Sequence, residues 1–276
     1  LKKEKLEKQI KKIKKELFKT RKNNHIGFGI SSNVFKVNID EQEVSCKVIK
    51  LGWEKQSEKE IKILKKISTL NHPMFPKFIC NFKQNLGNVI CYDFISGIDL
   101  FTYISEINDI DNDDTLIINI IHQLLDGLEH LLLLDLVHLD IKPENIMVVS
   151  KSPFKICLID LCFFLNYKKE TPDSVIGTIG YISPEILFKN KVYHNTDIWS
   201  IGILIYLLYT NKFIYDMEDE EYVFNLKSEY QAGLIKKDKL KNVPLNLSTI
   251  INKCLMFNTN YRISIVGLKN LMSELY

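Results

Sequence analysis

The sequence predicts an α+β protein built as two lobes. Strand-like alternation, broken by one helical segment, fills the first third of the chain, whereas the remainder is mainly helical in period. A length of 276 residues is enough for one large domain or two lobes with ample core.

The elements follow in order. LKKEKLEKQIKKIKKELFKT places Leu6, Ile10, Ile13 and Leu17 at steps of 4, 3 and 4, a narrow apolar stripe on a lysine-covered helix over 1–20. Two readings of it stay open: packing of the stripe on the body or a partner helix, or an arm lying on a membrane surface or nucleic acid. From 25 to 50 the period becomes strand-like, with NVFKVNI and EVSCKVIK around an acidic turn at Asp40-Glu41. SEKEIKILKKI (57–67) returns to helical period, and PKFICNFKQ and NVICYDFI read as two further strands. The polar NDIDNDD (108–114) precedes a helical run through Leu134; short strands are expected around 146–149 and 156–159, a polar loop over 166–180, and helices to the end.

Charge and cysteine usage narrow the function classes. Net charge is +3, yet residues 1–22 hold eleven Lys/Arg against three Glu, so the body is mildly acidic and a nucleic-acid-binding body is not expected. Six cysteines form no CxxC pair and no cluster with histidine, which reads as free thiols in a reducing, intracellular compartment. The longest apolar run, Ile198 to Tyr209, is too short to cross a bilayer, and no apolar signal segment follows the basic start.

Phosphoryl transfer needs cover for phosphates, a cation on them, oxygen ligands for a metal, and an acceptor for the hydroxyl proton. HIGFGISSNVFKV (25–37) carries Gly27 and Gly29 on a strand–turn–strand, where side-chain-free backbone can approach phosphate oxygens. A Gly-x-Gly in a hairpin is by itself commonly just a turn, and no helix follows to make a dinucleotide-binding βαβ unit. Lys47, in the apolar strand VSCKVIK, needs an anion if half-buried, and Glu60 on the next helix is the natural counter-charge, although each alone reads as a surface residue. In VHLDIKPENIMV (137–148), Asp140 can accept a proton, Lys142 can neutralise a phosphoryl group, and Asn145 can offer an amide oxygen to a metal. Asp160 in CLIDLC is a lone carboxylate behind three apolar residues, equally readable as a strand-end acid.

Over residues 21–276 the chain resembles the eukaryotic-type protein kinases, serine/threonine branch. The pieces are GFGISSNV, VSCK, EIKIL, HLDIKPEN, DLC, GTIGYISPE, DIWSIGILIYLLY and the arginine in NYRIS, in that order. The resemblance implies a two-lobed kinase fold: an antiparallel-sheet small lobe with one main helix over 21–95, a larger, mostly helical lobe over 96–276, and the basic helix 1–20 ahead of both. It implies ATP and Mg²⁺ as cofactors. Gly27, Phe28 and Gly29 would cover the phosphates, Lys47 paired with Glu60 would bind them, Asp140 would be the base assisted by Lys142, and Asn145 and Asp160 would hold the metal. Tyr92 falls at the gatekeeper position, Asp93 to Ile95 form the hinge to adenine, and Val34, Ser45 and Met147 sandwich the base. Asp99 is placed to meet ribose or a basic substrate side chain. Glu185 is expected to pair with Arg262, and Asp197 to brace the catalytic-loop backbone.

Four departures from that pattern stand out. Ser32 replaces the third glycine, expected at a turn tip. Cys162 replaces the glycine of the DFG motif, which is expected to hold Asp160 in one orientation. The gap from Lys47 to Glu60 is short, so the helix is expected to lose its first turn, with Glu58 as the alternative partner. Leu139 stands where the family carries an arginine that gathers an activation-loop phosphate, and Leu165 stands at the second basic position. The expected enzyme therefore phosphorylates protein serine or threonine without requiring phosphate at Ser174 or Thr171. Glu144 and Asp99 imply a preference for basic residues N-terminal to the acceptor. A pseudokinase, acting as a nucleotide-binding scaffold, is the alternative.

Overall fold

The computed structural model describes residues 2–20, 25–29, 31–84, 87–106, 114–215, 223, 225–229 and 237–275. The polar stretch 107–113 and the turn at Asn85-Leu86 lie outside the described residues. The chain divides into two compact units, Leu1–Ser96 and Gly97–Tyr276.

The first unit is built on a five-stranded antiparallel sheet in the order β1-β2-β3-β5-β4, from β1 (His25–Phe28), β2 (Ser32–Ile39), β3 (Gln42–Ile49), β4 (Phe78–Gln84) and β5 (Gly87–Asp93). Its hairpin turn uses Asp40 at φ 53°, a left-handed conformation that Asp tolerates better than most residues. Helix α1 (Lys2–Thr20) lays its stripe on this sheet: Ile13 and Leu17 are fully buried with Phe35, Val37, Val44, Cys46 and Cys91. Leu6 stays exposed. Strand period 2 then decides the opposite face. Val34 pairs with Lys47 and Lys47 with Ile90; Lys36 pairs with Ser45 and Ser45 with Tyr92, so these side chains share the face turned away from α1. Helix α2 (Glu54–Ser68) presents Glu60, Ile61, Ile63, Leu64 and Ile67 inward. It is tied to β5 by Asn88 donating to Ser57 at 2.6 Å.

The second unit is largely helical. Its helices include α3 (Leu100–Glu106), α4 (Asp114–Leu132), α5 (Pro184–Lys189), α6 (Thr196–Thr210), α7 (Leu245–Cys254) and α8 (Ile265–Leu275). Short strands complete it: β6 (Ile98–Asp99) pairs with β8 (Ile146–Lys151) and β8 with β9 (Phe154–Leu158), while β7 (Leu136–Val137) pairs with β10 (Leu165–Asn166). Helix α6 is buried nearly all round, with Trp199 inaccessible, which is why its sequence shows no polar face. Gly202 on α6 is required by packing: a Cβ there would lie 2.7 Å from Cys254 Cβ on α7. Among the described residues, no helix is long and apolar enough to cross a membrane.

Candidate active site

In the first unit, alternation of β3 delivers Lys47 to the face opposite the α1 core, where its ammonium meets Glu60 at 2.7 Å. Lys47 is 4% and Glu60 7% exposed, so the pair is desolvated. Glu58 is exposed. The short spacing comes out of the connection rather than the helix: only 50–53 separate β3 from α2, and α2 keeps its first turn, with six residues ahead of Glu60. Ser32 also differs from expectation. It opens β2, is buried, and its carbonyl accepts the N–H of Gly29 at 2.9 Å. Lys50 Nζ donates to the Gly29 carbonyl at 2.6 Å, closing the turn from the other side. Phe28 belongs to β1, but its side chain lies outside the described residues. Val34, Ser45 and Tyr92 share the Lys47 face; Asp93 ends β5, its N–H donating to the Lys77 carbonyl at 3.0 Å, and Ile95 follows half-buried.

In the second unit the loop that follows β7 is pinned from below. Asp197, at the start of α6, accepts the backbone N–H of His138 and of Leu139, each at 2.7 Å. Burial pushes the Asp197 carboxyl up to about 6, against the pull of those two bonds. His138 Nδ1 accepts the Asp140 N–H at 3.2 Å, and burial brings the imidazole down to about 4, so it is neutral at pH 7. Leu139 turns through φ 72°, a conformation costly for a branched residue, and the well-satisfied loop around it holds it there.

Above that support four side chains converge. Asp140, 3% exposed, accepts the Thr178 hydroxyl at Oδ1 (2.6 Å) and the Asn145 amide at Oδ2 (2.8 Å). Lys142 Nζ donates to Thr178 Oγ1 at 2.6 Å and lies 3.4 Å from Asp140 Oδ2. Asn145 also donates to the Asp140 carbonyl, so its amide nitrogen is committed and its oxygen is the group it can offer a cation. The hairpin β8–β9 brings the last candidate alongside: the Ile159 N–H donates to the Asn145 carbonyl at 2.8 Å, and Asp160 follows, exposed, at φ 59°. Cys162 adopts no positive φ, so this backbone path does not call for glycine there, and its thiol donates to Asp160 Oδ1.

The segment 163–187 folds back onto this loop. Gly177, at φ 106°, approaches so closely that a Cβ would lie 2.7 Å from the Leu139 carbonyl oxygen. Leu139 and Leu165 share a buried cluster with Val137, Ile182, Ile186 and Val192, flanked by Phe163, Ile176 and Ile179. At its far end Glu185 forms a bidentate pair with Arg262 at 2.6 and 2.7 Å, with no exposure of the arginine side chain.

A family model described as "Protein kinase domain" matches residues 20–275. The chain belongs to the protein kinase family. The kinase is 32% identical over 145 residues to smooth muscle myosin light chain kinase of Gallus gallus, covering 51% of this chain and 8% of that protein. It is 28% identical over 263 residues to a probable cell division protein kinase of Encephalitozoon cuniculi, covering 91% of this chain and 96% of the relative. With serine/threonine-protein kinase D2 of Homo sapiens it shares 27% over 232 residues, 81% of this chain and 26% of that protein. The kinase thus spans a small part of some relatives and nearly the whole of another.

Two residues enter the site that motif reading had not placed in it. Thr178 lies in the GTIGYISPE motif, which gave it no role of its own, yet it bridges Asp140 and Lys142. His138 orients Asp140 through its backbone, signalled only by adjacency in sequence. Asp99 has its own local work: both oxygens accept from Thr102, at 2.8 and 2.7 Å, capping α3. Met147, half-buried, pairs with Asp99 across β6–β8.

Proposed function

We propose that this kinase transfers the γ-phosphoryl group of ATP to serine or threonine hydroxyls of protein substrates, without needing a phosphate on its own activation segment. The observation that carries the reading is the arrangement of Asp140, Thr178, Lys142 and Asn145, a carboxylate held by donors beside a cation. In the proposed chemistry Asp140 accepts the proton of the attacking hydroxyl, and Lys142 offsets charge on the phosphoryl group. Lys47 binds the α- and β-phosphates and is kept extended by Glu60. Gly27 and Gly29 meet no backbone clash that would forbid a Cβ outright, which supports close approach to phosphate oxygens as the reason for glycine. Val34, Ser45, Tyr92, Asp93, Ile95 and Met147 are assigned to adenine.

The donor set fits magnesium. The Asp160 carboxylate and Asn145 amide oxygen are hard ligands of the kind Mg²⁺ takes, and the ion, when bound, would neutralise phosphate oxygens.

Independence from loop phosphorylation is supported by the cluster around Leu139. Apolar burial of Leu139 and Leu165 with Ile176, Ile179 and Ile182 performs the tethering that an arginine–phosphate pair would otherwise supply. Glu144, exposed beside Asn145, supports a preference for basic residues N-terminal to the acceptor. Six free cysteines fit a reducing compartment.

A nucleotide-binding scaffold is the second reading, favoured by the Cys162 thiol on the Asp160 carboxylate. A phosphotransfer assay with ATP and Mg²⁺ on a generic basic protein, followed by phosphoamino-acid analysis, separates the two. Catalysis predicts transfer to serine or threonine that Asp160→Asn lowers by about 10²-fold or more. Wild-type transfer no greater than that of the variant, with ATP binding retained, makes the scaffold the answer.

A further inference from the structure

The glycine turn between β1 and β2 is gripped by a residue that belongs to neither strand. Register places the grip: β2 and β3 pair as far as Ser32 opposite Ile49, and the next residue, Lys50, donates its backbone N–H to the Ser31 carbonyl at 2.8 Å. Its Nζ reaches on to the Gly29 carbonyl at 2.6 Å. Among the described residues that carbonyl is the one bonded partner of the Lys50 ammonium. Gly29 donates its own N–H to the Ser32 carbonyl at 2.9 Å, so both backbone polar groups of this glycine are engaged.

The stem of the lysine is fixed, which lowers the entropy lost in holding a long side chain. Its carbonyl accepts the Trp53 N–H at 3.3 Å as the chain turns into α2. Gly52, at φ 90°, donates its N–H to the Glu54 carboxylate at 3.1 and 3.2 Å. Behind Lys50, Gly87 at φ 125° lies so close to the Ile49 carbonyl that a Cβ there would clash with its oxygen. The short connection 50–53 therefore both starts α2 and keeps Lys50 beside the turn.

The consequence is electrostatic. A carbonyl presents the negative end of its dipole, and left unpaired at a turn that covers phosphates it repels their oxygens. An ammonium on that oxygen cancels the repulsion and sets a positive charge at the turn, which Gly27 and Gly29 have no side chain to supply. Such a benefit scales with the charge of the ligand and is indifferent to its base.

We propose that Lys50 is a positioning residue for nucleoside polyphosphates, holding the Gly29 carbonyl and thereby setting the affinity of the glycine turn for phosphate. This rests on the reading that the turn covers the phosphates of ATP, and it names the group that adapts the turn to that task.

The test is calorimetric titration of wild type, Lys50→Met and Lys50→Arg with ATP, ADP and adenosine. Lys50→Met should weaken ATP roughly fivefold and ADP roughly twofold, and leave adenosine unchanged, the scale of an exposed charge interaction. Lys50→Arg keeps a cationic donor and should restore ATP binding to within about twofold of wild type. A merely structural role would not rank the ligands by phosphate number. Lys50 is exposed, so unchanged amide exchange across β3 and β5 will certify that the variants fold. Without nucleotide, exchange at the Gly29 amide should quicken in Lys50→Met and return to the wild-type rate in Lys50→Arg. Equal loss of all three ligands, or ATP binding untouched in Lys50→Met, overturns the proposal. Wild type that binds ATP without transferring phosphate refutes catalysis and leaves the role of Lys50 standing. Wild type that binds adenosine no more weakly than ATP overturns the reading of the turn itself, and the proposal with it.

Discussion

Leu139 donates its backbone N–H to Asp197 Oδ1 at 2.7 Å while burying its side chain among Leu165, Ile182 and Val192. One residue therefore joins the buried α6 to the activation segment, by hydrogen bond on one side and by apolar packing on the other. Its neighbour Asp140 is positioned as a by-product of both.

The apolar half of that joint yields the first prediction. Leu139→Ala should cost about 2–4 kcal/mol in denaturant unfolding, since it empties a packed site. Ser174, by contrast, is exposed, and Ser174→Ala should leave turnover within about twofold of wild type. A collapse of turnover in Ser174→Ala would mean that the cluster does not replace a phosphate.

Asp197 supplies a pH prediction. Its carboxyl is raised by burial from the ordinary 3.8 to about 6, so the folded state binds the proton more tightly than the unfolded chain. The stability contributed by that proton is fully present below 3.8 and lost as pH rises through about 6. The difference comes to about 3 kcal/mol. Urea unfolding of wild type and Asp197→Asn between pH 3.5 and 6.5 measures it: wild type should lose stability relative to the variant as pH rises, and a pH-independent difference would place the titration elsewhere.

Lys47 and Glu60 form a buried pair whose partners cannot be removed singly without penalty. Lys47→Met or Glu60→Leu alone should destabilise by about 3–5 kcal/mol, because each takes from a buried charge the opposite charge it meets at 2.7 Å. The double variant should recover most of this, and a double-mutant cycle with no coupling would contradict the geometry.

Cys162 competes for an oxygen that the proposed magnesium ligand needs. Removing the thiol in Cys162→Gly should lower the Mg²⁺ concentration for half-maximal transfer roughly fivefold, the worth of about 1 kcal/mol for such a hydrogen bond. An unchanged magnesium requirement would show that the thiol yields to the ion without cost.

Much of this was legible before any coordinates. Strand alternation around Lys47 and helical period around Glu60 were enough to suggest their pairing, because both periods dictate which way side chains point. The spacing Asp140–Lys142–Asn145 is short enough for local geometry to bring those residues together, and the Glu185–Arg262 and Asp197 ties were expected from the resemblance. Less legible was the shortening between Lys47 and Glu60, which falls in the loop and leaves α2 whole, because period cannot locate the end of a helix lacking a capping residue.

The chain's linear pattern determined its class, its order of strands and helices, and the residue types available for phosphate chemistry. Tertiary structure alone decided that Ile13 and Leu17 of α1 pack on the sheet, that Thr178 bridges Asp140 and Lys142, and that Leu139 meets Leu165 and Ile179 in one apolar cluster. The reason is range. Periodicity and spacing act within an element, whereas these contacts join segments up to dozens of residues apart, where burial of apolar area and satisfaction of buried polar groups choose the partner.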